Sequence, residues 1–409
     1  MAATLLVATE AHFVRGTDGR VYSSSGVDGY AFWSRYRSAF DRILVAARTA
    51  DAAVEGERVV LEGPGVEVVP LPDYVGPWQC LRVATQLRST MAAAVARADA
   101  LCLRAPGPIA GLAWRAAGRR PYAVEVVGDP HEALAPGTVT SPIRPLARGA
   151  LVHDLRRMCA GAVAVSYVTA GALQRRYPST AWRTSYSSID LDDAAFATPE
   201  AVRAHYAGVH TARRGTPVRP WQLVFVGSLA QRYKAADVVI EAAALCRARG
   251  VVLDVTIVGD GRERAALEAH ARRGGLTGRV VFLGHLRGPA AVRHVLAHSD
   301  VFVLPSRSEG LPRAMIEAMA MGLVCVGSRV GGMTELLDDD LLVPAGDPAA
   351  LAAALCRLVA APERLLPIAL DNLQRARSHH RHVLEARRGE LYARLRAAVA
   401  PAAVSVGWR

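Results

Sequence analysis

Short runs of Val, Ile and Leu alternate along this chain with longer segments rich in Ala, Arg and Leu, whose apolar residues recur at helical spacing. Short apolar runs are typical of strands covered on both faces, and their alternation with helices predicts an α/β fold with parallel sheets. In the first half, the pattern predicts strands at residues 5–9, 42–46, 66–70, 100–103, 123–127 and 161–165, and helices at 79–96 and 168–177.

A second series of the same kind follows residues 190–220, a segment without a strand pattern that holds several Pro, Gly and Thr residues. Two doubly wound domains are therefore expected, one over residues 1–195 and one over 215–378, with a C-terminal helix in a segment from about 380 to 409 that crosses back to the first. Ligands of such folds bind at the carboxyl ends of the strands, so the cleft between the domains is the expected site. The second series predicts strands at 223–226, 253–258, 280–283, 301–304 and 323–326, and helices at 235–249, 262–273, 290–298, 312–321 and 382–397.

Composition fits this picture and narrows the class of protein. A chain of 409 residues exceeds what one hydrophobic core usually supports, and 51% hydrophobic with 21% charged residues is a globular composition. The first ten residues predict a core strand rather than a signal peptide, and the chain has no apolar run of about 18 residues, so we expect a cytoplasmic protein. The six cysteines form no CxxC pair, which favours reduced thiols over a metal or disulfide site.

The charge points to an anionic ligand. The formal net charge is +12, and Lys234 is the one lysine among 49 basic residues. A compact ammonium acts as a point charge on a phosphate where a planar guanidinium does not fit, so this lysine is a candidate phosphate ligand. A surface lysine retained by chance is the alternative, and the surrounding residues decide against it.

The segment PSRSEGLPRAMIE follows a predicted strand and opens a helix. Gly310 and Leu311 precede the helix start, whose free N–H groups suit a phosphate. Glu309 is placed to bind sugar hydroxyls, and Glu317, eight residues later, to bind ribose hydroxyls. Taken alone, two glutamates near a helix start are also typical of a surface helix.

A second strand, glycine and helix arrangement occurs in VFVGSLAQRYK. It contains Gly227, Ser228, Arg232 and Lys234, and predicts another phosphate-binding turn with Arg232 as a second cation. The segments IVGDG and VVFLGHL each place a glycine after a strand, and Gly284 of the latter is a candidate for close approach to the nucleotide. Singly, both are equally typical of tight turns.

The chain resembles the GT-B glycosyltransferases of family 4 in the order of its motifs. That order runs from VFVGSL and Lys234 through IVGDG and VVFLG to SEGLPRAMIEAMAMGLVCVGSRVGGMTELL. The resemblance implies a nucleotide-diphosphate sugar donor, retention of configuration and no obligatory metal or other cofactor, since positive groups neutralise the leaving diphosphate. It implies that Lys234 stabilises the diphosphate, Glu317 holds the ribose, Glu309 holds the donor sugar and Gly310–Leu311 bind through their backbone. The chain departs from the family at Ser228, where arginine is frequent, and at Ala235, where glycine is usual after the lysine.

The acceptor side is expected in the first domain. Asp129, after the strand at 123–127, is the candidate that binds or polarises the acceptor hydroxyl, and His131 is the alternative. Asp129 is equally typical of a turn residue before proline, with a structural role only. Gly26 and Gly29 resemble the family's loop that approaches the donor diphosphate, although an ordinary helix-start loop fits them as well.

Several alternatives remain at this point. A nucleotide-sugar epimerase or a non-catalytic nucleotide-binding module has the same architecture. UDP is the expected base, then GDP, and the acceptor is a natural product or a glycan or lipid-linked precursor. The protein is expected to be a monomer or homodimer that does not bind nucleic acid. Residues 144–157 and a cluster with Trp114 and Arg115, Arg119 and Arg120 are candidates for contact with an anionic membrane, or else solubilising charge.

Overall fold

The computed structural model describes residues 2–23, 29–52, 59–134, 142–214 and 219–399. The chain divides into two compact units. Unit 1 comprises the described parts of Met1–His131, Pro142–Tyr186 and Glu385–Arg409, and unit 2 those of Glu132–Ser141 and Ser187–Leu384.

The sheet of unit 1 has parallel strands in the order β4-β3-β1-β5-β6-β7-β8, with β2 antiparallel to β1. The central strands are buried on both faces, which explains their uninterrupted apolar sequences. All six strands predicted for the first half are present. The strands are β1 (Thr4–Arg15), β2 (Val21–Ser23), β3 (Arg42–Asp51), β4 (Val66–Leu71), β5 (Ala100–Ala105), β6 (Tyr122–Val126), β7 (Ala164–Tyr167) and β8 (Trp182–Ser185).

The helices before residue 187 differ from the prediction at two places. The helix expected over 168–177 is shorter and spans only Ala172–Arg176. The single helix expected over 79–96 is two helices that meet at Val83. The break has a packing reason, since the second helix buries Leu87 and Met91 whereas the first has no buried residue. The helices are α1 (Tyr30–Ser34), α2 (Gly76–Arg82), α3 (Ala84–Ala96), α4 (Pro108–Ala116), α5 (Pro130–Ala133), α6 (Arg144–Gly161) and α7 (Ala172–Arg176).

Unit 2 contains a parallel sheet with the strand order β11-β10-β9-β12-β13-β14. Its five main strands are those predicted, and the bounds of two of them agree to the residue. The strands are β9 (Trp221–Val226), β10 (Leu253–Val258), β11 (Val280–Gly284), β12 (Val301–Leu304), β13 (Val324–Ser328) and β14 (Leu342–Val343).

The segment 190–220, expected to connect the domains, contains a helix of unit 2 that sequence analysis missed. This helix packs against the helix at Leu365–Ala376. Its buried Tyr206 donates a hydrogen bond to the Asp300 carbonyl at 3.0 Å and accepts one from the N–H of Val324 at 3.0 Å. The helices of this part are α8 (Pro199–Arg214), α9 (Ala236–Ala248), α10 (Arg264–Arg273), α11 (Pro289–Ala297), α12 (Arg313–Ala320), α13 (Met333–Leu336), α14 (Pro348–Ala360) and α15 (Leu365–Ala376).

The last helix, α16 (Arg381–Val399), belongs to unit 1 from Glu385 onwards, which confirms the predicted return of the chain. A buried carboxylate, Glu125 on β6, fixes it there. The hydroxyl groups of Tyr36, Tyr186 and Tyr392 donate to Glu125 at 3.1, 2.9 and 3.4 Å, and the Arg104 guanidinium pairs with it. Burial acts to raise the pKa of Glu125, but the charge of Arg104 holds it below its usual value.

Among the residues described, no helix combines the length and the apolar character that crossing a bilayer requires.

Candidate active site

Two loops at the carboxyl edge of the unit 2 sheet bring Lys234 and Glu309 into contact. β9 and β12 are neighbouring strands, so the loops that follow them lie side by side although the residues are distant in sequence. The Lys234 Nζ atom lies 2.6 Å from Oε1 of Glu309, and only 16% and 7% of the two side chains are exposed. The edge that binds ligands in this type of sheet therefore carries a largely buried ion pair.

Both members of this pair keep hydrogen-bonding capacity for a ligand. An ammonium has three N–H donors, and a carboxylate has two acceptor oxygens. The hydroxyl of Ser306 also donates to Oε1 of Glu309, at 2.8 Å, whereas Oε2 receives no hydrogen bond from the residues that the structure describes. The buried hydroxyl of Ser328 donates to the Ser306 carbonyl and so fixes Ser306 in turn. Sequence analysis did not identify these two serines.

Arg307 holds the two loops together. Its N–H donates to the Tyr233 carbonyl at 2.7 Å, and its Nη1 donates to the Arg232 carbonyl at 2.7 Å. Nη1 and Nη2 also donate to the two carboxylate oxygens of Asp237, at 3.1 and 2.8 Å. Burial acts to raise the pKa of Asp237, but the hydrogen bonds from Arg307 hold it below its usual value. Sequence analysis missed this pair, whose signal is the arginine shortly before Glu309 and the aspartate shortly after Lys234.

The residue after Lys234 has a left-handed backbone. Ala235 has φ 58° and ψ 42°, and it is the one non-glycine residue in the described ranges with positive φ. The turn from the 3₁₀ segment Arg232–Lys234 into α9 imposes this conformation. The Cβ of an L-residue costs about 1–2 kcal/mol there, which gives a physical reason for the glycine usual at this place.

Unpaired backbone donors follow Glu309 at the start of α12. The N–H groups of Gly310, Leu311, Arg313 and Ala314 donate to none of the described residues. Such groups at a helix start carry partial positive charge and bind anions.

A glycine turn packs against the same loop. Gly331 has φ +47°, and a Cβ built on it would lie 1.8 Å from the Glu309 carbonyl oxygen. The N–H of Gly332 donates to the Gly310 carbonyl at 2.6 Å. Only glycine at position 331 therefore permits this close approach, which fixes the backbone of Glu309 and Gly310.

Glu317 lies on α12 and is half-buried. Burial raises the pKa of its carboxyl group, against the opposing effect of Arg313 and Arg293. In the described part of the chain, no residue donates a hydrogen bond to it. A carboxylate without hydrogen bonds in a partly buried place is suited to accept them from the hydroxyl groups of a ligand.

The remaining predicted glycines of unit 2 pack against protein backbone or side chains. A Cβ on Gly227 would lie 3.4 Å from Cγ of Lys234, and one on Gly259 would lie 1.9 Å from the Gly227 carbonyl oxygen. Gly284 ends β11 with φ +72°, and a Cβ there would lie 3.1 Å from Nη1 of Arg264. These glycines allow the loops to pack closely, which is a structural role that the sequence pattern does not distinguish from ligand approach.

Ser228, Arg232 and Lys234 line a common pocket of about 110 Å³. The Ser228 hydroxyl accepts a hydrogen bond from the N–H of Ala230 at 3.2 Å. The Arg232 side chain is 77% exposed and its Nε lies 3.0 Å from Oε2 of Glu263. The second cation near Lys234 is thus partly neutralised by an acidic neighbour.

In unit 1, the predicted Asp129 is buried and engaged on both oxygens. Oδ1 accepts hydrogen bonds from the Tyr177 hydroxyl at 2.6 Å and the His131 N–H at 2.9 Å, and Oδ2 pairs with Arg176. These bonds are those of a residue that holds a turn.

His131, the alternative, accepts at Nε2 from Nη2 of Arg148 at 2.7 Å. Because a guanidinium only donates, the proton of the neutral ring lies on Nδ1, which is buried and has no partner among the described residues. Burial, then the charges of Arg148 and Arg156, lower the pKa of His131 and favour this neutral form.

The other predicted residues of unit 1 fall in different places. Gly26 lies outside the described residues, and Gly29 precedes α1, where a Cβ would lie 2.3 Å from Cγ1 of Val59. Trp114 donates from Nε1 to the Tyr122 hydroxyl at 3.2 Å, and Nη2 of Arg115 lies 2.5 Å from Asp154. Arg115 and Arg119 of this cluster are exposed, whereas Trp114 and Arg120 are half-buried.

Among the residues that the structure describes, no group of three or more His, Cys, Asp or Glu side chains is arranged to hold a metal ion.

Comparison with known proteins agrees with the motifs of unit 2. Residues 220–361 match the family model described as "Glycosyl transferases group 1". The "Amylovoran biosynthesis glycosyltransferase AmsK" of Erwinia amylovora is 33% identical over 161 residues, which are 37% of this chain and 39% of that protein. The chain thus aligns with well under half of this relative's length.

Solved structures match over nearly the whole chain. Sucrose-phosphate synthase from Thermosynechococcus elongatus matches with a TM-score of 0.70 at 18% identity, over 97% of this chain and 100% of the other. HepE of Anabaena, solved in complex with UDP-glucose, matches with a TM-score of 0.63 at 18% identity, over 95% and 98% of the two chains. The matches confirm the expected GT-B fold.

Proposed function

We propose that the protein transfers a sugar from a nucleotide-diphosphate sugar to a hydroxyl group, because residues 220–361 match the group 1 glycosyltransferase model and the chain has the GT-B fold. The observation that carries the proposal is the contact of Lys234 with Glu309 beside the unpaired N–H groups at the start of α12. This arrangement offers positive charge and N–H donors to a diphosphate, and a carboxylate oxygen to a sugar.

In this proposal, the diphosphate lies against the Lys234 ammonium and the N–H groups of Gly310 and Leu311. The bond between the sugar C1 and the diphosphate oxygen breaks, and the leaving group takes the electron pair. Its new negative charge is stabilised by donors that are already in place. The acceptor oxygen forms the new bond to C1, and its proton passes to the diphosphate oxygen that has taken the electron pair. Because the Lys234 ammonium and these N–H groups neutralise the charge of the diphosphate, the transfer does not require a metal ion.

The two glutamates divide the rest of the donor between them. Glu309 has an unused Oε2 atom for the sugar hydroxyls, and its Oε1 stays with Lys234 and Ser306. Glu317 has an unpaired carboxylate for the ribose. The resemblance to family 4 supports retention of configuration at C1, and the similarity to a structure solved with UDP-glucose supports UDP as the base, with GDP next.

For the acceptor side, the bonds of Asp129 favour a positioning role over direct contact with the acceptor. His131 stays the alternative candidate to contact a hydroxyl group, with Nε2 engaged by Arg148 and Nδ1 buried. The cysteines at all six positions are free thiols, in line with a cytoplasmic enzyme.

Calorimetric binding of UDP, GDP, ADP and dTDP without metal tests the proposal. We expect one nucleotide to bind wild type, and Lys234→Ala and Glu317→Ala to lose at least about tenfold in affinity, or 1.4 kcal/mol. Arg272→Ala, which removes an exposed arginine of α10, is the matched control and retains the affinity. If a folded wild type binds none of the four, the donor site proposed here is wrong.

A further inference from the structure

Helix α2 presents the most exposed apolar surface in the described part of the chain. Among all the residues described, four large apolar side chains are more than half exposed. Three of them belong to α2 and the residue before it: Val75 at 68%, Trp78 at 67% and Leu81 at 64%. None of the residues of α2 is buried. Single exposed apolar residues are normal on a protein surface, but a cluster of three on one short helix is not.

The spacing puts the three side chains on one side of the helix. Residues three apart lie on adjacent turns, so Val75, Trp78 and Leu81 form one apolar stripe. The helix is held firmly at its start. The N–H of Val75 donates to Oε1 of Gln79 at 2.7 Å, and the buried Tyr74 donates from its hydroxyl to Glu10 at 3.1 Å. The stripe is therefore a fixed feature of the surface.

The charged residues that follow the stripe are arginines, whereas Asp73, which precedes it, pairs with His12. Residues 74–98 contain three arginines and no acidic residue. Arg97 pairs with Glu67, whereas Arg82 and Arg88 are exposed and have no ion-pair partner among the residues described. An apolar stripe with a tryptophan, flanked by unpaired arginines, matches the apolar and anionic layers of a membrane surface.

A protein partner fits this surface less well. A stable protein interface buries roughly 800 Å² on each partner around an apolar centre, and three side chains on a seven-residue helix fall short of that. The two unpaired arginines at its margin would repel the same arginines of a second copy. We propose that α2 is a membrane-contact element, through which unit 1 binds reversibly to a bilayer that contains anionic lipid. This inference goes beyond sugar transfer and does not depend on the nucleotide site.

Co-sedimentation with vesicles tests this without nucleotide or acceptor. We expect wild type to bind vesicles of phosphatidylcholine and phosphatidylglycerol, more weakly vesicles of phosphatidylcholine alone, and less at high salt. Trp78→Ala should lower the partition coefficient about tenfold, because the side chain no longer enters the apolar layer. Arg82→Gln combined with Arg88→Gln should remove the difference between the two lipid compositions.

Leu146→Ser is the matched control, since Leu146 on α6 is 78% exposed but stands alone. It should bind vesicles as wild type does. Thermal unfolding of all variants should be unchanged, because the replaced side chains are exposed. Equal binding of wild type and Trp78→Ala would overturn the proposal, as would a loss with Leu146→Ser alone. So would sedimentation velocity showing that Trp78→Ala converts a dimer to a monomer, because the stripe would then be a contact between copies. Retained nucleotide affinity in Trp78→Ala separates this result from the fate of the donor site.

Discussion

Lys234 and Glu309 occupy neighbouring loops of one sheet, with Nζ of the first 2.6 Å from Oε1 of the second. Each side chain neutralises the charge of the other. The pair also sets how the proposed donor site responds to mutation, because removal of the cation leaves a carboxylate with little exposure beside the proposed phosphate position.

We therefore expect Lys234→Met to weaken nucleotide binding. The loss in binding free energy should exceed that of a single hydrogen bond, because the unpaired Glu309 then repels the diphosphate. In the double variant Lys234→Met with Glu309→Gln, part of the affinity should return. The coupling energy from the double-mutant cycle should fall at about 1–3 kcal/mol in nucleotide affinity, measured by calorimetry. Additive effects of the two changes would show that the pair does not act as a unit.

The glycine turn at position 331 gives a second prediction. In Gly331→Ala, the new Cβ would lie 1.8 Å from the Glu309 carbonyl oxygen, so the loop that carries Glu309 and Gly310 has to move. We expect lower thermal stability and at least about tenfold weaker nucleotide binding, or 1.4 kcal/mol. Gly278→Ala is the matched control, because Gly278 has φ +75° and nothing within 4 Å of the added Cβ. It should cost about 1 kcal/mol in stability and leave the affinity unchanged. Equal behaviour of the two variants would contradict the role given to the turn.

How far the sequence predicts this molecule is clearest in unit 2. The strands at 253–258 and 301–304 are correct to the residue because each is an apolar run between polar or turn residues. Helix α8 was not predicted because its segment contains Pro and Gly residues typical of a connection. Its burial also depends on residues distant in sequence, such as Asp300. The order β9-β12, which brings Lys234 to Glu309, is a property of topology and not of local pattern.

The candidate site shows the same limit. Lys234 and the Glu309/Glu317 spacing were identified from the sequence, whereas Ser306 and Arg307 were not. Ser306 acts through Glu309 on its own loop, and Arg307 acts through Asp237 on the neighbouring segment. Neither serine nor arginine is a distinctive residue type in this chain. For Asp129, its place after a strand suggested chemistry, but its bonds to Tyr177 and Arg176 come from a helix later in the chain.

Ala235 offers a prediction on stability. Glycine is the residue best suited to φ 58°, so Ala235→Gly relieves the strain of the left-handed backbone. The added freedom of the unfolded chain offsets part of this gain, and a net change between 0 and about +1 kcal/mol in the free energy of unfolding is expected from denaturant titration. The control Ala244→Gly, in the middle of α9, should instead lose about 1 kcal/mol. A loss of the same size at both positions would be inconsistent with strain at Ala235.

The carboxylate of Glu125 should prove essential for the return of α16 to unit 1. Glu125→Gln removes the charge that faces Arg104 and leaves that guanidinium buried without its partner. We expect a loss of about 3–5 kcal/mol in the free energy of unfolding. Tyr392→Phe removes one hydroxyl from the same cluster and should cost only about 1 kcal/mol. The pKa of Glu125 is held low, so its contribution is present above the ordinary value near 4.5 and disappears as the pH falls through the lower folded value. Urea titrations at neutral and acidic pH measure both effects, and equal losses in the two variants would assign the cluster to packing alone.

Glu317 separates function from stability. Burial raises the pKa of this carboxyl group, so the folded state binds its proton more tightly than the unfolded state does. Its contribution to stability is therefore fully present below the ordinary value near 4.5 and is lost as the pH rises through the higher folded value. Glu317→Gln keeps the shape without this titration. We expect the variant to be more stable than wild type at neutral pH, by an amount that shrinks as the pH is lowered toward 4.5, and yet to bind the nucleotide more weakly. Thermal unfolding across this pH range, with calorimetry at neutral pH, measures the two effects on the same samples. A variant that is less stable at neutral pH would mean that Glu317 supports the fold, and its unpaired carboxylate would no longer argue for a ribose contact.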